Sequence, residues 1–194
     1  GQLPMTRAIT LVCDNFADWE TALINATGRG YYGFDCRYAS PKGAIVTSMG
    51  GLRVTPDLAL EDIRLDEVDL LMVCGGTVWQ SPQAPDIREL LRAAKERKLV
   101  LAGICDGTRE LARAGVLDHL KHTSNSADNL LAVGYAGAAH YQDVPHAVAD
   151  QRVITAPGSA PVSFMAQILG TLGISDDNLT FYLGLHAAEH RQQA

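Results

Sequence analysis

Two segments of this 194-residue chain, 68–74 and 99–104, are almost entirely apolar, and each is followed by a turn that contains glycine. Strands that are apolar on both faces belong in a parallel sheet covered by helices on both sides. Between such runs the chain carries helical patterns, for example over 85–98, where the apolar residues share one face. The sequence therefore predicts an α/β protein: a three-layer sandwich, flavodoxin-like, with a mostly parallel sheet and helices on both faces.

The remaining predicted elements alternate in the same way. Further strands are predicted over 8–13, 34–39 and 152–156, and a hairpin or glycine-broken edge over 48–54. Helices are predicted over 17–26, 85–98, 108–114, 161–172 and from 176 onward, with Gly28 and Gly30 ending the first. We expect one domain over 5–194 and interpret residues 1–4 as an extension left from expression ahead of Met5.

Composition excludes several classes of partner. A net charge of -6, a pI near 5.4 and the lack of a basic stripe argue against nucleic acid. No apolar stretch reaches the roughly 18 residues that a membrane span needs. The four cysteines form no CxxC pair, which argues against zinc ribbons and thioredoxin-like motifs, and most lie in apolar runs that fit a reducing compartment. We therefore expect a cytoplasmic protein with no metal and no cofactor.

The segment 99–109, Leu-Val-Leu-Ala-Gly-Ile-Cys-Asp-Gly-Thr-Arg, is the most informative for function. A buried strand that enters a helix through a tight turn is the layout of a nucleophile elbow, here with Cys105 in the place of serine. The helix dipole at this position favours a thiolate. The alternative is a buried structural cysteine at a strand end, because free cysteine is among the most buried residue types.

A Gly75-Gly76 turn directly follows the apolar run 68–74. Two glycines allow a close backbone approach, so their N–H groups, with that of Asp106, could form an oxyanion hole beside Cys105. The alternative is a simple turn at the end of a strand.

Candidates for proton transfer are Glu20, Asp18 and His140. The two acids open the first predicted helix, where they could simply stabilise the helix N-terminus, or where one could share a proton with the thiol. His140 is a candidate base, although any one of six histidines is more often a surface or core residue. The sequence alone leaves the proton carrier open.

Two further features are weaker. His186-Ala-Ala-Glu-His190 fits the H-x-x-E-H pattern of a zinc protease, but no third ligand follows, so a polar helical tail is the preferred interpretation. Trp19 and Trp79 could line a pocket or pack in the core.

Taken together, these motifs resemble the DJ-1/PfpI superfamily, also called the class I glutamine amidotransferase-like fold. The resemblance covers nearly the whole chain. It rests on the Gly-Gly turn, the elbow Gly-Ile-Cys-Asp-Gly-Thr some thirty residues later and the early helix with Glu20, and similar segments occur at 121–125, 139–141, 153–158 and 163–168.

The resemblance implies roles for particular residues. Cys105 would be the reactive group, Glu20 would hydrogen-bond it, Gly75 and Gly76 would supply backbone donors, and His140 would lie near the thiol. Members of the superfamily usually dimerise, so the resemblance also implies a homodimer.

This chain departs from two branches of the superfamily. The protease-like branch carries a histidine directly after the cysteine, where this chain has Asp106, whose charge opposes thiolate formation. The His-x-Glu dyad of true glutamine amidotransferases is not matched at Pro157-Gly158. Neither peptidase nor amidotransferase activity is therefore expected.

The expected function is that of a cysteine-dependent hydrolase or lyase acting on a small electrophile, such as an α-oxoaldehyde or an isocyanide. The alternative from another class is a redox or stress sensor with little turnover, because an accessible low-pKa thiol is also readily oxidised. A ligand-binding module, as in regulators of this fold, ranks last because no DNA-binding segment accompanies it.

Overall fold

The computed structural model describes residues 5–191, so the predicted extension at 1–4 lies outside the described part of the chain. The strands within that range are β1 (Arg7–Leu11), β2 (Asp35–Ser40), β3 (Val46–Thr47), β4 (Arg53–Val54), β5 (Leu58–Ala59), β6 (Leu70–Val73), β7 (Val100–Ile104), β8 (Val148–Asp150) and β9 (Val153–Ala156). The α-helices are α1 (Ala22–Tyr32), α2 (Arg88–Glu96), α3 (Gly107–Arg113), α4 (Ala127–Leu131), α5 (Pro161–Thr171) and α6 (Asp177–Ala188).

Seven strands form one sheet in the order β5-β2-β1-β6-β7-β9-β8. All neighbours pair in parallel except β8, which is antiparallel to β9. Every residue of β6 and β7 is buried, as the apolar runs predicted. The predicted three-layer α/β sandwich with a mostly parallel sheet is confirmed. Because β1, β6, β7 and β9 are parallel, their carboxyl ends open onto the same edge of the sheet.

The two faces of the sheet carry separate apolar cores. One core packs α2 and α3 against the sheet through residues such as Leu91 and Leu111. The other packs α1 and α5 through residues such as Ile24 and Phe164. Each helix layer therefore fixes the position of the strand ends that it covers, including the ends that form the candidate site.

The first helix differs from its prediction. It begins at Ala22 instead of residue 17 and ends at Gly33, whose φ is 70°. Residues 17–21 form a turn because the Ala17 N–H donates to Gly75 O at 3.0 Å, which holds this segment against the end of β6. Gly28 lies inside the helix, where a Cβ would be only 2.5 Å from the Phe34 ring. The predicted terminator is therefore a packing glycine, and Asp18 and Glu20 precede the helix.

Of the hairpin and the glycine-broken edge that the sequence left open over 48–54, the structure has the hairpin: β3 and β4 pair antiparallel, and β3 starts two residues earlier than predicted, at Val46. The short elements α4, β5 and β8 were not predicted, because runs of two to five residues carry too little periodicity. No helix among residues 5–191 is long and apolar enough to cross a membrane.

Candidate active site

Cys105 occupies the sharp turn between β7 and α3. Its φ is 57°, in the left-handed region that side chains other than glycine rarely adopt, at a cost of about 1–3 kcal/mol. Its N–H donates to Ala156 O at 2.9 Å, and its carbonyl accepts from the Thr108 hydroxyl at 2.7 Å. Gly107 allows the tight turn, since a Cβ there would collide with Val73 O. This strained strand-to-helix turn is the elbow geometry that the motif predicted.

The Glu20 side chain reaches the same turn from the segment after β1. Glu20 is fully buried, and its Oε1 accepts from the Gly75 N–H at 2.9 Å. Its Oε2 has no hydrogen bond of good geometry within the described residues and lies beside the sulfur. Oε2 and the Cys105 Sγ lie 2.8 and 3.1 Å from the point that a Gly158 Cβ would occupy. The absence of a side chain at 75 and 158 thus leaves room for the acid and the thiol to lie side by side at this turn.

Asn125 is a third member of the site. It ends the segment 121–125, which resembles the family, but its sequence context predicts no role for it. Its Oδ1 accepts from the Gly158 N–H at 2.8 Å, and this donor fixes the orientation of the amide. Its Nδ2 donates to the Cys105 Sγ at 3.1 Å. The Trp19 Nε1–H donates to Gly158 O at 2.8 Å, so the N–H and the carbonyl of this glycine are both hydrogen-bonded to side chains.

Electrostatics at the site favour a neutral thiol at rest. Burial raises the pKa of Cys105 to about 12, with the charge of Glu20 adding to the rise and the Asn125 hydrogen bond opposing it. Burial also raises the pKa of Glu20 to about 7, while the neighbouring Cys105 thiol and the Gly75 N–H oppose the rise. Burial and the charge of Glu20 therefore oppose the resting thiolate that the sequence predicts. A carboxyl with a pKa near neutrality is instead suited to accept the thiol proton during attack.

The three predicted backbone donors differ in availability. The Gly75 N–H already serves Glu20. The N–H groups of Gly76 and Asp106 donate no hydrogen bond to any described residue, and both residues are buried beside the elbow. Neither N–H group therefore has an acceptor among the described residues, and backbone donors of this kind can stabilise an oxyanion on a bound substrate.

Neither His140 nor Asp18 forms a hydrogen bond with Cys105 within the described residues. His140 is exposed at the end of a single 3₁₀ turn, and its ring makes no hydrogen bond to Cys105. Asp18 accepts from the Ser48 hydroxyl at 2.5 Å and from the Gly50 N–H at 2.8 Å, which ties the β3–β4 hairpin beside the site.

Trp79 packs in the core, and the histidines near the C-terminus form no metal site among the described residues. Trp79 is buried and donates to Cys74 O. His186 stacks edge-on against Tyr182, and no group of three metal-ligating side chains occurs within residues 5–191.

Comparison with known proteins identifies the class. The model of the DJ-1/PfpI family matches residues 6–171, and the chain belongs to this family. The crystal structure of the DJ-1 superfamily protein Atu0886 from Agrobacterium tumefaciens superposes with a TM-score of 0.94 at 42% identity, covering 96% of this chain and 100% of that one.

Two curated relatives carry names that indicate enzymes. A Bacillus subtilis protein named "Uncharacterized protease YoaZ" is 33% identical over 87% of this chain and 85% of its own length. The Caenorhabditis elegans protein named "Glutathione-independent glyoxalase DJR-1.2" is 28% identical over 72% of this chain and 74% of its own. Hydrolase and lyase names therefore both occur among relatives of this chain.

Proposed function

We propose that this protein is a cysteine-dependent hydrolase or lyase that acts on a small electrophile, such as an α-oxoaldehyde or an isocyanide. The observation that carries the proposal is the position of the Cys105 thiol and the buried Glu20 carboxyl around the same point beside Gly158, together with a Glu20 pKa that is raised to about 7. A glyoxalase among the relatives is consistent with aldehyde chemistry.

The first step forms a bond between the Cys105 sulfur and the electrophilic carbon. For an aldehyde, the electron pair of the C=O double bond moves onto oxygen, while Glu20 takes the thiol proton. The developing oxyanion is held by the N–H groups of Gly76 and Asp106 and can then receive a proton from Glu20. Asn125 keeps the sulfur oriented through its Nδ2 donor. The exposed His140 is not needed for this step.

The test uses the full chain and three variants. We expect Cys105→Ser to abolish conversion of methylglyoxal to lactate and of an isocyanide to the formamide, both followed by NMR. Glu20→Gln should reduce turnover by about 10²–10⁴-fold, the usual contribution of a general base. His140→Ala serves as the control and should stay within about twofold of the wild type.

Full activity in the serine variant would overturn the proposal. If no turnover occurs and intact-mass measurements show that mild peroxide oxidises Cys105, these results support the alternative function as a redox sensor. The raised pKa of Cys105 argues against that alternative, because peroxide reacts with the thiolate.

The proposal includes a cytoplasmic location and a homodimer. All four cysteines are free, as is usual in a reducing compartment. Light scattering on the purified chain would give its mass in solution, and a mass near one chain at working concentration would exclude the dimer.

A further inference from the structure

Asp106 directly follows Cys105 in the chain and is a buried acid. It is 8% exposed, and its Oδ2 accepts from the Gln80 Nε2 at 2.8 Å. No lysine, arginine or histidine forms a salt bridge with it within the described residues. Its negative charge is therefore held in place by a neutral amide and is not neutralised locally.

The second charged group at the thiol is also acidic. Glu20 lies beside the sulfur and Asp106 is the next residue in the chain, and both acids raise the pKa of Cys105, whereas the donor on the sulfur, Asn125, is a neutral amide. In a half-buried site such charges are screened by solvent less than they would be on the surface. A reagent that approaches the sulfur therefore meets a negative potential.

We infer that Asp106, positioned by Gln80, makes this site select uncharged electrophiles and reject those that carry a carboxylate. The substrate is then an aldehyde or a comparable neutral electrophile, not an oxo acid. This inference deepens the proposed function and rests on it for the identity of the natural substrate. The charge selection itself is a property of the site and can be measured without turnover.

Two reagents of similar size report this selection directly. Iodoacetamide is neutral and iodoacetate is anionic; with both, the sulfur displaces iodide and loses its proton. The ratio of their rates at Cys105 cancels the fraction of thiolate, because both reagents need the same ionised sulfur. Peptide mass spectrometry separates Cys105 from the other three cysteines, and 2-mercaptoethanol supplies the ratio for a thiol in an uncharged setting.

We expect the amide-to-acetate ratio at Cys105 to exceed that of 2-mercaptoethanol by about tenfold at low salt, consistent with one or two charges acting at close range. Asp106→Asn should lower the ratio by about threefold or more, since it removes one charge and keeps an oxygen for Gln80. Asp62→Asn is the matched control, because Asp62 is exposed at the opposite edge of the sheet and its loss changes the net charge equally. That control should leave the ratio unchanged.

A ratio equal to that of 2-mercaptoethanol, or one that Asp106→Asn does not lower, overturns the inference. A lowered ratio in Asp62→Asn as well would assign the effect to net charge and also overturn it. Turnover of methylglyoxal and of glyoxylate separates the two claims. Absent turnover with the charge preference intact refutes only the proposed function, whereas turnover of both substrates with no charge preference refutes only this inference.

Discussion

Cys105 and Glu20 share a pocket in which burial raises the pKa of both groups. The raised pKa favours a protonated sulfur at neutral pH, and turnover in the proposed mechanism depends on a neighbour that can take the proton. Glu20 is suited to this because its pKa lies near neutrality and its other oxygen is anchored by the Gly75 N–H. Activity should consequently rise with pH through about 7, as Glu20 loses its own proton.

The Asn125 amide supplies the hydrogen bond to the Cys105 sulfur, and its replacement tests that role. Asn125→Asp keeps an oxygen for the Gly158 N–H but replaces the donor to the Cys105 sulfur with a negative oxygen. We expect kcat/KM to fall at least about tenfold and the pKa of Cys105 to rise, because a hydrogen bond to the charged sulfur is lost and a repulsion is added. Alkylation rates across a pH series measure the pKa.

Asn178→Ala, at an exposed position of α6, is the control and should behave as the wild type. An Asn125→Asp protein with an unshifted alkylation profile would show that the amide does not act on the sulfur.

At the scale of elements, the elbow depends on how closely α3 approaches β6 and β7. Gly103 and Gly107 both lack room for a Cβ: at Gly103 it would lie 2.9 Å from Leu111 Cδ1, and at Gly107 it would strike Val73 O. The helix therefore starts directly on the ends of two central strands. This contact holds Cys105 in its left-handed conformation, since a wider turn would relax it.

Gly107→Ala tests this close approach. We expect the free energy of unfolding to fall by about 2–4 kcal/mol, because the added methyl group meets backbone that cannot move aside freely. Gly170→Ala, inside α5, has no atom within 4 Å of the new methyl group and should stabilise by about 0.5–1 kcal/mol. Urea unfolding of the two variants measures both values. Equal stabilities in the two variants would contradict the tight contact at the elbow.

The whole parallel sheet is needed to assemble the site. The segments after β1, β6, β7 and β9 each bring one part of it to the same edge: Glu20, Gly75 with Gly76, Cys105 and Gly158. Residues far apart in the chain are therefore in contact only when the central sheet is complete.

Much of this arrangement could be predicted from the sequence. The apolar runs at 68–74 and 99–104 indicated the buried parallel strands, and the Cys-Asp-Gly turn indicated the elbow. Asn125 escaped prediction because a single asparagine in a loop carries no periodicity, and its role depends on Gly158, 33 residues later. The raised pKa of Cys105 was not predicted either, because the effect of burial on the thiol is larger than the expected effect of the helix N-terminus, which would lower the pKa.

The influence of Glu20 on the Cys105 thiol is measured most sharply by the rate of Cys105 alkylation by iodoacetamide across a pH series, in the wild type and in Glu20→Gln. We expect the wild-type rate to keep rising well beyond the ordinary thiol pKa of 9.0. The Glu20→Gln profile should be displaced to lower pH because a neighbouring negative charge is gone, even though that variant turns over substrate more slowly. If the wild-type rate has already reached its plateau at neutral pH, and Glu20→Gln leaves the profile unchanged, then Glu20 does not raise the pKa of Cys105.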